Sequence, residues 1–132
     1  MRSVHVYLKN VDQATVAEAL DLVCNGGSAP QWLWLKDDDA VLYVEFFDYY
    51  GDYEPEEWRR LTRKLGCEPS VSIVADVSGR HDGRREVPAF VRSLLERFPG
   101  VVGDDYEFYW TFREVLSEKK QGGRTFFDIK VL

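Results

Sequence analysis

Residues 31–50 read QWLWLKDDDAVLYVEFFDYY, and this stretch decides the predicted fold. Two runs rich in aromatic and β-branched residues flank a polar link at positions 37–39, a pattern typical of a β-hairpin. In the second run, one side of the strand is apolar at every other residue: Leu42, Val44 and Phe46. The hairpin is therefore expected to bury this side and to leave Tyr43, Glu45 and Phe47 on the other.

One strand–helix unit precedes the hairpin, and a helix–strand unit follows it. Residues 4–8 alternate as a half-buried strand, and Asp12 can cap a helix that ends in the glycines at 26–27. After the hairpin, Pro55 begins a second helix, Gly66 ends it, and residues 70–78 form an apolar strand. The order β-α-β-β-α-β predicts an α+β protein with a ferredoxin-like core.

The C-terminal third predicts an extension of this core by two helices and a strand. The apolar period of residues 87–98 is the strongest helical pattern in the chain. Thr111 and Glu114 match a capping box, which indicates a short helix from there to about residue 120. Residues 125–132 are expected to form a final strand. We find no linker or repeat, so residues 1–132 are interpreted as a single domain.

The charge of the chain is concentrated in one segment. The net charge is −6, yet residues 37–57 hold nine carboxylates, six aromatic rings and no Lys or Arg. A basic stripe at 58–97 lies beside this block, but the acids argue against nucleic-acid binding. No apolar run approaches the length of a membrane span, and the N-terminus has the pattern of a strand rather than a leader. We expect a cytoplasmic protein without a membrane partner, in which Cys24 and Cys67 are structural thiols.

The acidic aromatic segment is the main candidate for a binding surface. Carboxylates steer a basic protein towards such a surface, and tyrosine rings supply rigid contact area. The candidate partner-binding residues are Glu45, Asp48, Tyr49, Tyr50, Asp52, Tyr53 and Glu54. The alternative is a solvated acidic rim whose extra rings are covered by the C-terminal residues. Residues 104–111 repeat the same composition, and either join this surface or form an ordinary strand with buried rings.

The loop at 79–85 is a second candidate, for a small anion or a nucleotide. It joins a strand to a helix, contains two glycines, and places four side chains around one turn: Arg80, His81, Arg84 and Arg85. Such a turn offers backbone N–H groups to an anion. Its spacing fits no phosphate-binding motif, and the alternative is an ordinary β-α turn with charged residues in water.

No catalytic or metal-binding signature accompanies these surfaces. His81 has Asp76, Ser78 and Asp82 nearby in the chain, but residues so close in sequence do not easily form a Ser-His-Asp triad. Only His5 and His81 could supply imidazole ligands, and the aspartate runs match no calcium loop. We expect a protein that is not an enzyme and that needs no cofactor or metal.

In general character the chain resembles the small acidic immunity proteins that bacteria keep against secreted toxins. The resemblance lies in size, acidity and aromatic-acid surface, and no family motif is matched. It implies stoichiometric binding of a basic toxin, often a nuclease, by complementary charge. A homodimer formed through the aromatic surface is a further possibility.

Overall fold

The computed structural model describes residues 2–48, 50–104 and 108–127. Seven antiparallel strands in one sheet and four helices lie in these ranges, which confirms the α+β class. The strands are β1 (Ser3–Leu8), β2 (Gly26–Ser28), β3 (Gln31–Lys36), β4 (Asp39–Phe46), β5 (Val71–Val77), β6 (Gly100–Gly103) and β7 (Tyr109–Thr111). The helices are α1 (Gln13–Val23), α2 (Pro55–Leu65), α3 (Glu86–Leu95) and α4 (Phe112–Leu116).

The strand order differs from that of a ferredoxin-like sheet. The observed order is β2-β3-β4-β5-β1-β6-β7, so that β5 lies between β4 and β1. A ferredoxin-like core would instead place β1 directly beside the hairpin strand β4. The difference follows from the position of α2: the chain leaves the sheet after β4, forms α2 on the opposite face from α1 and α3, and returns antiparallel beside β4. The expected ferredoxin-like topology was therefore wrong.

The alternation of residues in the central strands builds two separate cores. Val4, Val6 and Leu8 of β1 are fully buried on the face that α1 and α3 cover. Tyr7, between them, points to the other face, where it packs with Leu61 of α2. The same alternation holds in β4, where Leu42 and Val44 are buried in the first core. The prediction of the core-facing side of the hairpin is thus confirmed.

The second core is smaller and consists largely of aromatic rings. Leu61 and Leu65 of α2 pack against Tyr7, Val101 and Tyr109 of the sheet. The loop between β4 and α2 covers the neighbouring part of this face. Its rings, Phe47, Tyr50 and Tyr53, pack on one another, and the two tyrosines also pack on Trp58 of α2, in edge-to-face or tilted contacts. The segment that was predicted to be a binding surface therefore also has a structural role.

The predicted helix ends are confirmed where a capping residue marked them. The Asp12 carboxylate accepts the Thr15 N–H at 2.8 Å at the start of α1. Pro55 begins α2, and Gly66 ends it in a left-handed conformation with φ of 93°. Thr111 and Glu114 form the predicted capping box of α4, which ends at Leu116, earlier than expected. Local sequence chemistry determines these ends.

The hairpin between β3 and β4 turns through Asp37 and Asp38. Both residues have positive φ angles, 52° and 65°, as a two-residue hairpin turn requires. Asp39 is the first residue of β4, so the link is one residue shorter than the sequence indicated.

Two strands were missed because glycines suggested turns. β2 and β6 each contain two glycines within three or four residues. At Gly100 the glycine is required, since a Cβ would collide with the Tyr7 backbone oxygen across the β1–β6 ladder. Residues 125–127 of the expected final strand are not a strand: Phe126 and Phe127 lie in a turn and are buried in the core. The rest of that prediction, residues 128–132, lies outside the described part. No described helix is long and apolar enough to cross a membrane.

Candidate functional site

A row of residues on the second face of the sheet links segments that are distant in sequence. Glu45 of β4 pairs with Val74 of β5, and Val74 pairs with His5 of β1. The row continues from His5 to Gly103 of β6 and from Gly103 to Tyr109 of β7. Glu45, a predicted binding residue, thus lies on the same face of the sheet as Tyr109 of the 104–111 segment.

At the β6–β7 end of this row, a cleft opens between the sheet and the first turn of α2. Its volume is about 290 Å³. We call it the acidic tyrosine cleft, and its lining residues are His5, Tyr7, Asp52, Tyr53, Glu57, Gly103, Asp104 and Tyr109. It therefore joins three residues of the 37–57 segment with two of the 104–111 segment. The 104–111 segment also contains the strand β7 with its rings buried, so each of the two alternatives that the sequence offered describes part of it.

Three tyrosines form the inner part of the cleft. Tyr7 and Tyr109 are buried, at 3% and 8% exposure, while Tyr53 is half-buried at the opening. The hydroxyl groups of Tyr7 and Tyr53 share a hydrogen bond. The ring of Tyr7 meets that of Tyr53 at 89° and that of Tyr109 at 63°, with centroids 6.5 and 6.0 Å apart. These edge-to-face contacts hold the rings in fixed positions.

Tyr7 and Tyr53 of the cleft stay protonated. Burial raises the pKa of Tyr7, and the hydrogen bond from Tyr53 and the nearby charge of Glu57 act in the same direction. Burial also raises the pKa of Tyr53; its bond to Tyr7 opposes the shift, and Glu57 adds to it. The cleft accordingly offers the neutral phenol groups of Tyr7 and Tyr53 beside the carboxyl groups of Asp52, Glu57 and Asp104.

The three carboxylates come from three different segments of the chain. Asp104 is fixed in place, since it accepts the Trp110 indole N–H at 2.8 Å and the Phe108 N–H at 3.2 Å. Glu57 lies in the first turn of α2 and Asp52 in the exposed loop before it. Within the described ranges neither Asp52 nor Glu57 forms a salt bridge, whereas Glu56 is paired with Arg59.

The structure separates the predicted partner-binding residues into groups. Asp52 and Tyr53 line the cleft. Asp48 and Glu54 are exposed beside it, and Glu45 is partly buried on the sheet. Tyr50 is turned inwards: its hydroxyl bonds to that of Ser72 at 2.5 Å, and its ring packs on Trp58. Tyr49 lies outside the described residues.

Three residues of the cleft were missed by the sequence interpretation. His5 and Tyr7 are the alternate residues of β1, and Glu57 was assigned only to the start of a helix. The available signal was an aromatic ring at two of the three positions of β1 that do not face the main core. By itself that signal does not indicate which distant carboxylates the rings will meet.

The loop at 79–85 does not gather its cations around one point. Arg80 and His81 both bond to Asp39, His81 at 2.8 Å. The hydrogen bond from His81 lowers the pKa of Asp39, and Arg80 contributes further. Arg84 and Arg85 lie in a different groove of about 270 Å³, where Lys36 joins them but Asp82 and Glu86 offset their charge. Anion binding here stays a prediction, with two of its four residues already engaged by a carboxylate.

Neither cysteine lines the acidic tyrosine cleft. Cys24 is buried, and burial together with the charge of Asp21 raises its pKa to about 12, so the thiol stays protonated. Cys67 is exposed, and both thiols are free. Among the residues that the structure describes, no group of three His, Cys, Asp or Glu side chains is placed to hold a metal ion.

The acidic tyrosine cleft is thus the place where carboxylates, aromatic rings and a concave surface coincide. Ionised carboxylates attract cations, and the rings offer faces on which a cation can rest. Comparison of the chain with protein-family models, with curated proteins and with solved structures found no match.

Proposed function

We propose that this protein is a non-catalytic binding module that sequesters a basic protein partner through the acidic tyrosine cleft and the exposed acids beside it. The observation that carries the proposal is the convergence of Asp52, Glu57 and Asp104 on one tyrosine-lined cleft. No Lys or Arg is among the described residues that line it. A positively charged group is the natural complement of such a site.

The size and surroundings of the cleft favour a protein partner over a cofactor. A volume of about 290 Å³ lies at the lower end of the range for small-molecule pockets, roughly 300–1,000 Å³. Asp48 and Glu54 lie exposed close to it in the chain and extend the negative charge beyond the cleft. Charge spread over a surface raises the rate of encounter with a basic protein, and buried aromatic contacts then slow its dissociation.

A toxin is the kind of partner that the resemblance to immunity proteins implies. In that case the module would bind a basic toxin in a one-to-one complex and block its active surface. The alternative function, binding of a small anion or nucleotide by the 79–85 loop, has less support because Asp39 engages Arg80 and His81.

The test is the association rate with a basic partner, for which the product of the neighbouring gene is the first candidate. The variant carries Asp48→Lys, Asp52→Lys and Glu54→Lys, three exposed positions at the proposed surface. At low salt we expect the association rate constant, measured by surface plasmon resonance, to fall by at least about tenfold. Added salt should reduce the difference from the natural protein, because it screens the charges.

The matched control changes the net charge by the same amount away from the cleft. It carries Glu18→Lys, Glu96→Lys and Glu118→Lys, all exposed. An equal loss of rate in both triple variants would show that only net charge matters, and an unchanged rate in the first would contradict the proposal. Thermal denaturation confirms that each variant folds, and sedimentation at several concentrations detects the alternative use of the surface in a homodimer.

A further inference from the structure

We infer that the acidic tyrosine cleft receives the guanidinium group of one arginine side chain of the partner. The inference rests on the proposed function and specifies which group of a basic protein enters the site. The cleft holds about 290 Å³, room for the end of one long side chain rather than for a folded segment.

The arrangement of the carboxylates favours arginine over lysine. They surround the cleft from the loop before α2, from the first turn of α2 and from the segment after β6: Asp52, Glu57 and Asp104. A guanidinium carries five N–H donors in a planar fork and can serve acceptors on several sides at once. An ammonium group has three donors on a strongly hydrated point charge, and would lose more on leaving water.

The aromatic walls favour the same group. Tyr7, Tyr53 and Tyr109 present rings at steep angles to one another, so that a planar cation entering the cleft meets both ring faces and hydroxyl oxygens. Arginine stacks on aromatic rings more readily than lysine, and cation–π attraction strengthens as water is excluded.

Part of the site is held in place by bonds within the protein. Asp104 is held by two N–H donors, and Tyr7 and Tyr53 hold each other through their hydroxyl groups. These three side chains therefore lose little freedom when a cation binds. A preformed cage of this kind selects by shape as well as by charge.

The experiment compares three hexapeptides with different side-chain heads: hexa-arginine, hexa-lysine and hexa-citrulline. Binding is followed by NMR from the chemical shifts of the tyrosine rings. We expect saturable shifts of the Tyr53 ring, with hexa-arginine at least about fivefold tighter than hexa-lysine and no saturation with neutral citrulline. Asp52→Asn and Glu57→Gln should each weaken hexa-arginine about threefold or more, while Glu18→Gln on α1 should leave its affinity unchanged.

Several outcomes would overturn the inference and leave the proposed function intact. One is that hexa-arginine and hexa-lysine bind with equal affinity. Another is that the Asp52→Asn and Glu57→Gln variants both bind hexa-arginine as tightly as the natural protein does. Asp52 is exposed, so its variant stays informative even if Glu57→Gln is unstable. N-acetyl-arginine amide that binds as tightly as the peptide would point to a free guanidino compound instead of a protein side chain. Failure of the proposed function gives a different result. In that case neither basic peptide binds, and the triple lysine variant at positions 48, 52 and 54 associates with the partner as fast as the natural protein.

Discussion

Glu114 joins three parts of the structure from a buried position in α4. Its carboxylate accepts the Lys64 ammonium of α2 at 2.8 Å, that of Lys119 at 3.4 Å, and the Thr111 N–H at 2.9 Å. Burial alone would raise the pKa of Glu114, but these hydrogen bonds and charges lower it to about 2. The ionised carboxylate therefore stabilises the folded state and fastens α4 to α2.

Glu114→Gln should destabilise the protein at pH 7 by about 1–3 kcal/mol, because it removes the charge on which Lys64 and Lys119 converge. Since folding lowers the pKa, the contribution is complete above the ordinary value of 4.5 and disappears as the pH falls to about 2. Urea denaturation of both proteins at pH 7, 4 and 2.5 measures the difference.

The control is Glu118→Gln, an exposed acid in the same segment that makes no described salt bridge. We expect its free energy of unfolding to match that of the natural protein at all three pH values. A difference for Glu114→Gln that stays constant between pH 7 and 2.5 would contradict the role of its charge.

Among the secondary-structure elements, α2 matters most for the site, because it supplies Glu57 and covers the second core. Its end at Gly66 depends on a backbone conformation with φ of 93°, which disfavours any residue with a Cβ. Lys9 reaches across from the end of β1 and donates to the Leu65 carbonyl at 2.6 Å, so this helix end is also tied to the central strand.

Gly66→Ala should lower the free energy of unfolding by about 1 kcal/mol, because alanine must adopt the left-handed conformation. Gly79→Ala is the matched control, since Gly79 has no positive φ and no atom within 4 Å of the added methyl group. We expect the control to change stability by less than ~0.5 kcal/mol. Equal effects of the two substitutions in thermal or urea denaturation would rule out backbone strain as the cause.

The sequence predicts helices and long strands well because their signals are local. Asp12, Pro55 and the Thr111 capping box mark helix starts through hydrogen bonds within one turn. β2 and β6 have no such local signal, because their glycines are equally typical of turns. They become strands through distant pairing, β2 with β3 and β6 with β1. The strand order depends on which face of the sheet α2 covers. The alternation of apolar and polar residues along a single strand does not predict that face.

The site was predicted in part for the same reason. Asp52 and Tyr53 were found from their composition, and they do line the cleft. Tyr50, chosen on the same grounds, bonds to Ser72 inside the second core. An aromatic ring beside an acid has the same appearance in sequence whether it binds a partner or packs on a sheet. The distant strand that each ring meets decides the difference: Tyr53 bonds to Tyr7 of β1 and Tyr50 to Ser72 of β5.

In the whole molecule, one sheet is covered unequally on its two faces. α1 and α3 cover the first face with a large aliphatic core, while α2 and the loop before it cover part of the second with rings. The acidic tyrosine cleft lies beside this incomplete cover. β1 is at the centre of the arrangement, hydrogen-bonded to β5 on one side and to β6 on the other.

The rates of amide hydrogen exchange should depend on where each strand lies in the sheet. We expect the β1 amides from His5 to Leu8, paired on both sides, to exchange at least about a hundredfold more slowly than those of the short edge strand β2. Native-state exchange followed by NMR at neutral pH measures both sets, after correction for intrinsic exchange rates. Equal protection of β1 and β2 would show that the sheet opens as one unit.

The central place of β1 has a consequence for how the chain acquires its fold. Ser3 pairs with Asp76 and Leu8 with Gly100, so β1 must wait during synthesis for partners that are made much later. Contacts between such distant positions slow folding, because a long loop must close before any of them forms. During synthesis, Val4, Val6 and Leu8 stay without their final neighbours until residue 103 has emerged from the ribosome. We expect β1 to gain its full set of contacts only after β5 and β6 have been made, and its apolar residues to need protection from aggregation until then.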